Sequence, residues 1–112
     1  MALARDTVRR IALSLPDSTQ APHHDMTSFR VAGKIFATMP PEGDRVHIFI
    51  GADEVAAYCA EYPGMVEELW GGKKLSGSRV MLERASRAVV REMLIGAWRA
   101  KAPSRARAQF DA

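Results

Sequence analysis

The stretch Ser28-Phe29-Arg30-Val31-Ala32-Gly33-Lys34-Ile35-Phe36-Ala37-Thr38-Met39 decides the architecture. Residues 28–31 and 34–39 are strand-like, and Ala32-Gly33 between them has the length and residue type of a hairpin turn. Two strands joined so closely must run antiparallel. Beyond them, Pro40-Pro41-Glu42-Gly43-Asp44 forms a loop, and Arg45-Val46-His47-Ile48-Phe49-Ile50 is β-branched and aromatic enough to be a third strand.

Outside this unit the period of the apolar residues changes. From Leu3 to Leu15, Val8, Ile11, Ala12 and Leu15 recur at helical spacing, with Arg5, Asp6, Arg9 and Arg10 on the other side. Pro16 ends that helix, and residues 19–27 read as loop. Downstream, Asp53 is a candidate N-cap for a helix carrying Val55, Ala56, Tyr58, Cys59 and Tyr62, which Pro63-Gly64 stops. Residues 65–70 fit strand or helix. Residues 71–74 must turn, and residues 78–82 read as another strand. Ser86 caps a last helix with an apolar stripe of Val89, Val90, Met93, Leu94, Ala97 and Trp98. Pro103 breaks it, and residues 103–112 read as a frayed basic tail. The result is an α+β single domain, residues 1–112, with an antiparallel β-sheet flanked by helices. Phe29, Ile35, Phe36, Ile48, Ile50, Leu94 and Trp98 are its expected core.

A chain of 112 residues that is 47% hydrophobic can bury a core without disulfides or metal. Its single cysteine, Cys59, excludes an internal disulfide and fits a reducing compartment. No apolar run approaches membrane-spanning length, and no basic-then-apolar leader opens the chain, so the expected location is cytoplasmic.

The net charge of +3 hides a segregation. Residues 1–40 carry +2, residues 41–70 carry −6, and residues 71–112 carry +7. Such an arrangement gives the folded domain one positive face, suited to a polyanion, unless the two halves simply attract each other in solvent.

Catalytic and metal motifs are missing. His23 and His24 are adjacent, His47 lies mid-strand, and no ligand spacing typical of a metal site occurs, so neither a metal nor a cofactor is expected. Gly72-Lys73 fails as a phosphate loop, because Glu67 stands where the first glycine belongs and Lys74 where Ser or Thr belongs. No nucleophile elbow flanks a serine. Cys59, among alanines, reads as a small buried residue. The expectation is a protein that is not an enzyme.

The basic residues point further. Lys73, Lys74 and Arg79 lie on and after a glycine turn, while Arg84, Arg87 and Arg91 lead into the last helix. Arginine favours bidentate phosphate contact. A basic turn beside a basic helix start can grip a phosphate backbone, with nothing to read bases. Trp70 either stacks on a base or belongs to the edge of the core.

Several segments together resemble one family. They are Leu13-Ser14-Leu15-Pro16-Asp17, His23-His24, the 28–37 hairpin, and Glu67-Glu68-Leu69-Trp70-Gly71-Gly72-Lys73-Lys74-Leu75-Ser76-Gly77-Ser78-Arg79-Val80. In this order, and with the ending at residues 97–103, they are similar to the MmcQ/YjbR-like family of small bacterial proteins over residues 5–107. The resemblance implies an α+β fold likened to a double-wing motif, and DNA binding by analogy with that motif. It implies no catalytic residue. The chain departs from branches that carry a tryptophan where it has Ser78 or Arg79.

Two functional readings follow. One is a DNA-binding protein that contacts phosphates through Lys73, Lys74, Arg79, Arg84, Arg87 and Arg91, with little sequence specificity. The other is a protein-interaction or small-ligand-binding module with no nucleic-acid role. A continuous positive patch from the 73–79 turn to the last helix favours the first. An apolar groove near Phe29, Phe36 and Trp70 favours the second.

Overall fold

Residues 2–112 are described by the computed structural model. In chain order the elements are α1 (Arg5–Ser14), β1 (Ser18–His23), β2 (Met26–Val31), β3 (Lys34–Met39), β4 (Arg45–Ile48), α2 (Ala52–Glu61), β5 (Val66–Gly71), β6 (Lys74–Met81), α3 (Arg87–Lys101) and α4 (Ser104–Asp111). The six strands form one antiparallel sheet in the order β1-β2-β3-β4-β6-β5. This is the α+β fold that the sequence predicts, with more strands.

The central hairpin folds as expected. Ala32 (φ 52) and Gly33 (φ 77) both take the left-handed conformation that a two-residue hairpin turn with matching twist requires. The extra strand is β1, where a loop was expected. Its register with β2 is regular, from Ser18↔Val31 to His23↔Met26. Nothing in Ser18-Thr19-Gln20-Ala21-Pro22-His23 shows an apolar alternation, because β1 is an edge strand with little to bury. Pro22 is tolerated there because an edge residue need not donate to a second neighbour. Of residues 65–70, ambiguous by pattern, 66–70 lie in strand β5 at the opposite edge and Met65 in the turn before it.

The helix signals hold for α1 and α3. Val8, Ile11 and Ala12 of α1 are buried, and Ser86 Oγ accepts from the Val89 N–H to cap α3. The expected cap at Asp53 is corrected: Gly51 occupies the N-cap of α2, and its carbonyl accepts from Val55 N at 2.9 Å. Asp53 lies in the first turn instead, where a carboxylate favours the positive end of the helix dipole. The frayed tail is also corrected. Pro103 ends α3 and then serves as N-cap of α4, whose Arg107 N–H reaches the Pro103 carbonyl at 3.1 Å. Ala106 is buried, the Phe110 ring lies 5.4 Å from Trp98, and Arg99 grips Asp111 with both guanidinium NH groups. Basic composition alone hid these anchors.

One apolar core joins sheet and helices. Trp98, Phe29, Phe36, Ile48, Met93 and Leu94 are its largest fully buried side chains, and Trp98 Nε1 donates to the Pro16 carbonyl at 3.1 Å. Of the expected core, Ile35 alone is only half-buried. Among the described residues no helix is long and apolar enough to cross a membrane.

Strand registers order the side chains into rows. Phe29, Ala37, Ile48 and Ser78 are direct cross-strand partners from β2 to β6, and all are sealed in the core. One residue along, on the other face, Ser28, Thr38, His47, Arg79 and Glu67 form a polar row from β2 to β5. That second face carries the candidate site.

Candidate nucleic-acid interface

The hairpin of β5 and β6 closes at Gly71↔Lys74, with Gly72 at φ 64 supplying the left-handed turn residue. Its tip presents Lys73 and Lys74 to solvent, and neither makes an ion pair among the described residues. Immediately before the turn, Trp70 is 53% exposed, the one large hydrophobic side chain so placed among the described residues. A register shift between Leu69 and Trp70 reshapes the ladder at this point. Trp70 Nε1 donates to Glu68 Oε1 at 3.4 Å. Its exposure leaves the ring of Trp70 largely outside the core.

The remaining basic residues lie elsewhere. Arg79 sits mid-strand on β6, and its guanidinium pairs with Glu67 at 3.1 Å. Arg84 belongs to the short 3₁₀ turn Leu82–Arg84 and packs beside Gly64. Arg87 and Arg91 are exposed in the first turns of α3. Strand β6 separates the tip lysines from this group, a span of roughly 23 Å at about 3.3 Å per residue. The six predicted residues therefore form two clusters rather than one patch, with a neutralised arginine between them. Linear proximity in the sequence suggested a continuity that an extended strand pulls apart.

Of the apolar groove expected near Phe29, Phe36 and Trp70, the structure supports only the part at Trp70, since the rings of Phe29 and Phe36 are fully buried. A cleft of about 480 Å³ opens beside Trp70. Trp70, Phe49, Leu69 and Ile35 supply its apolar walls, and Met26 and His23 close it from the β1–β2 turn. Thr38, His47 and Ser76 offer polar atoms, and Lys101 at the end of α3 brings a cation. None of the lining residues is acidic. Beyond Trp70, sequence reading missed this site because its lining comes from seven elements, β1 to β6 and α3, and the loop after β4. The one available signal was the alternation in residues 45–50, which turns His47 away from the core that Val46 and Ile48 enter.

His47 faces Thr38 across the β3–β4 pair. Its Nδ1 lies 3.3 Å from Thr38 Oγ1, which leaves Nε2 for another partner. Burial, then the positive charges of Arg45 and Arg79, hold its pKa below the ordinary histidine value, so the ring is neutral at pH 7. Cys59, expected to be buried, is half-buried on α2. Partial burial and the charges of Glu68 and Glu67 push its thiol pKa up, which makes it a poor nucleophile.

A second concavity, of about 770 Å³, lies between α1 and the β1–β2 turn. It has no aromatic wall other than His24, and its Arg9 is already bound to Gln20 at 2.8 Å. No three His, Cys, Asp or Glu side chains among the described residues come together as a metal site.

The family model described as YjbR matches residues 13–100. No curated protein matches the sequence.

Proposed function

This chain belongs to the YjbR family, and on that premise we propose that it is a non-enzymatic nucleic-acid-binding protein working through the β5–β6 hairpin tip. The supporting observation is the pairing, on one tip, of two unpaired lysines with an exposed tryptophan. Lysines at such a tip meet phosphates as mobile point charges, and an aromatic face accepts any base, so the binding has little sequence specificity. Arg84, Arg87 and Arg91 form a secondary strip that a longer polyanion reaches along the length of β6. Arg79 contributes only where phosphate displaces Glu67.

The test is a fluorescence-anisotropy titration with oligonucleotides at several salt concentrations. Each phosphate contact releases about 0.7 counterion from a single strand or about 0.9 from a duplex. Replacing Lys73 and Lys74 together by alanine should flatten the log–log salt slope by about 1.4 to 1.8, equally for unrelated sequences. An unchanged slope would leave the tip without a role. The cleft beside Trp70 also favours the second reading, a small-ligand module, since its volume falls within the usual range of about 300–1,000 Å³ for such sites.

A further inference from the structure

We propose that the cleft beside Trp70 receives one unpaired nucleobase, which makes the hairpin tip a reader of single strands rather than of duplex. This rests on the nucleic-acid reading above and names its substrate class. A base within a duplex has both faces covered by its neighbours, so an aromatic wall gains contact only with a base that has left the stack. Trp70 and Phe49 are two such walls of one cleft, and the cleft is of small-molecule size. The hydrogen-bonding edge of a base needs neutral polar partners, and Ser76 and the neutral His47, with Nε2 free of the buried Thr38 behind it, provide them.

Cations stand in and next to the cleft. Lys73 and Lys74 follow Trp70 directly around the turn, while Lys101 stands on the lining contributed by α3. A strand whose base enters the cleft brings its phosphates near these lysines. No carboxylate lines the cleft to repel it, and Glu68 at the rim is engaged by Trp70 Nε1. Three lysines, Lys73, Lys74 and Lys101, exceed what the phosphate of a single free nucleotide engages, which argues for a chain of nucleotides as the occupant.

Tryptophan emission provides the test. Trp98 is fully buried and Trp70 is exposed, so a solvent-accessible ligand alters Trp70 emission alone. An oligothymidylate of about 12 nucleotides should quench it and bind more tightly than a duplex of equal length. Trp70→Ala should weaken single-strand binding about 10- to 100-fold, while Trp70→Phe retains most of it, as stacking predicts. Because Trp70 is exposed, both variants should unfold at the wild-type midpoint when followed by Trp98. Equal or tighter duplex binding with no effect of Trp70→Ala would overturn the base-insertion proposal and leave phosphate binding standing. No binding of any oligonucleotide at ~50 mM salt would overturn both. Quenching by free nucleoside monophosphate without any by oligothymidylate would make the cleft a small-molecule site, and the single-strand proposal would fall.

Discussion

Two neighbouring rows of side chains cross the sheet one residue apart. The inner row, Phe29, Ala37, Ile48 and Ser78, is fully buried, and its one polar member donates its hydroxyl to the Ile48 carbonyl at 2.8 Å. The outer row opens progressively. Ser28 is buried and covered by Arg30, whose Nε reaches Ser28 Oγ at 3.0 Å, and Thr38 is buried. His47 and Arg79 are half-buried, and Glu67 is exposed. The difference shows how stability and recognition share one sheet. The inner row spends its side chains on the core, while the outer row becomes exposed toward β5, the strand that brings Trp70 to the cleft and leads to the basic tip. A one-residue change of register would exchange the two roles.

The largest effect should come from the inner row. Phe29→Ala removes a fully buried ring and should cost about 3–5 kcal/mol, read as a large fall in the denaturant midpoint. Binding per folded molecule should be unchanged. A variant with the wild-type midpoint would break the division between rows at once.

Gly77→Ala should follow, because this position joins the two roles. An added Cβ would stand 2.8 Å from the Ile48 carbonyl oxygen and 2.9 Å from Phe49 Cα, both backbone atoms that can yield only by moving β4. A cost of about 1–3 kcal/mol is expected from such overpacking. Since Phe49 walls the cleft, oligonucleotide affinity should fall as well. Lost stability with intact affinity would mean that the cleft tolerates displacement of that wall.

Acidification probes the half-buried part of the outer row. His47 has a folded pKa below its unfolded value near 6.5, so between those two values the unfolded chain binds more protons. Stability is therefore full above about pH 6.5 and declines as the pH falls below it. His47→Gln, which cannot charge, should flatten that decline. A variant as acid-sensitive as the wild type would place the titration elsewhere.

These expectations bear on what the sequence makes legible. The 28–39 hairpin, α1, α3 and the Ser86 cap were all readable, because local periodicity, turn chemistry and capping specify them without distant partners. β1 was not, since a polar edge strand leaves no apolar alternation. α4 was not, because its stability comes from Phe110 on Trp98 and Asp111 on Arg99, contacts formed only in the fold. The tip lysines were found as a turn, but their distance from Arg87 and Arg91 depends on β6 being fully extended. Of the cleft, only a groove near Trp70 was anticipated: Phe49, His47 and Lys101 belong to other elements, and only strand order and the packing of α3 bring them to it.

The smallest effect should come from the far end of β6. Arg87 and Arg91 are exposed and make no ion pair among the described residues. Replacing both by alanine should change stability by no more than about 0.5 kcal/mol, as exposed helical positions allow. On a short single strand seated at the tip, the salt slope should also stay at the wild-type value, because a chain that enters the cleft need not span the roughly 23 Å of β6. Lengthening the oligonucleotide should bring the effect back, since a longer polyanion reaches the strip and each added phosphate contact steepens the slope by about 0.7. A short strand whose slope flattens as much without Arg87 and Arg91 as without Lys73 and Lys74 would merge the two clusters. The polyanion would then run along β6, with the outer row beneath it.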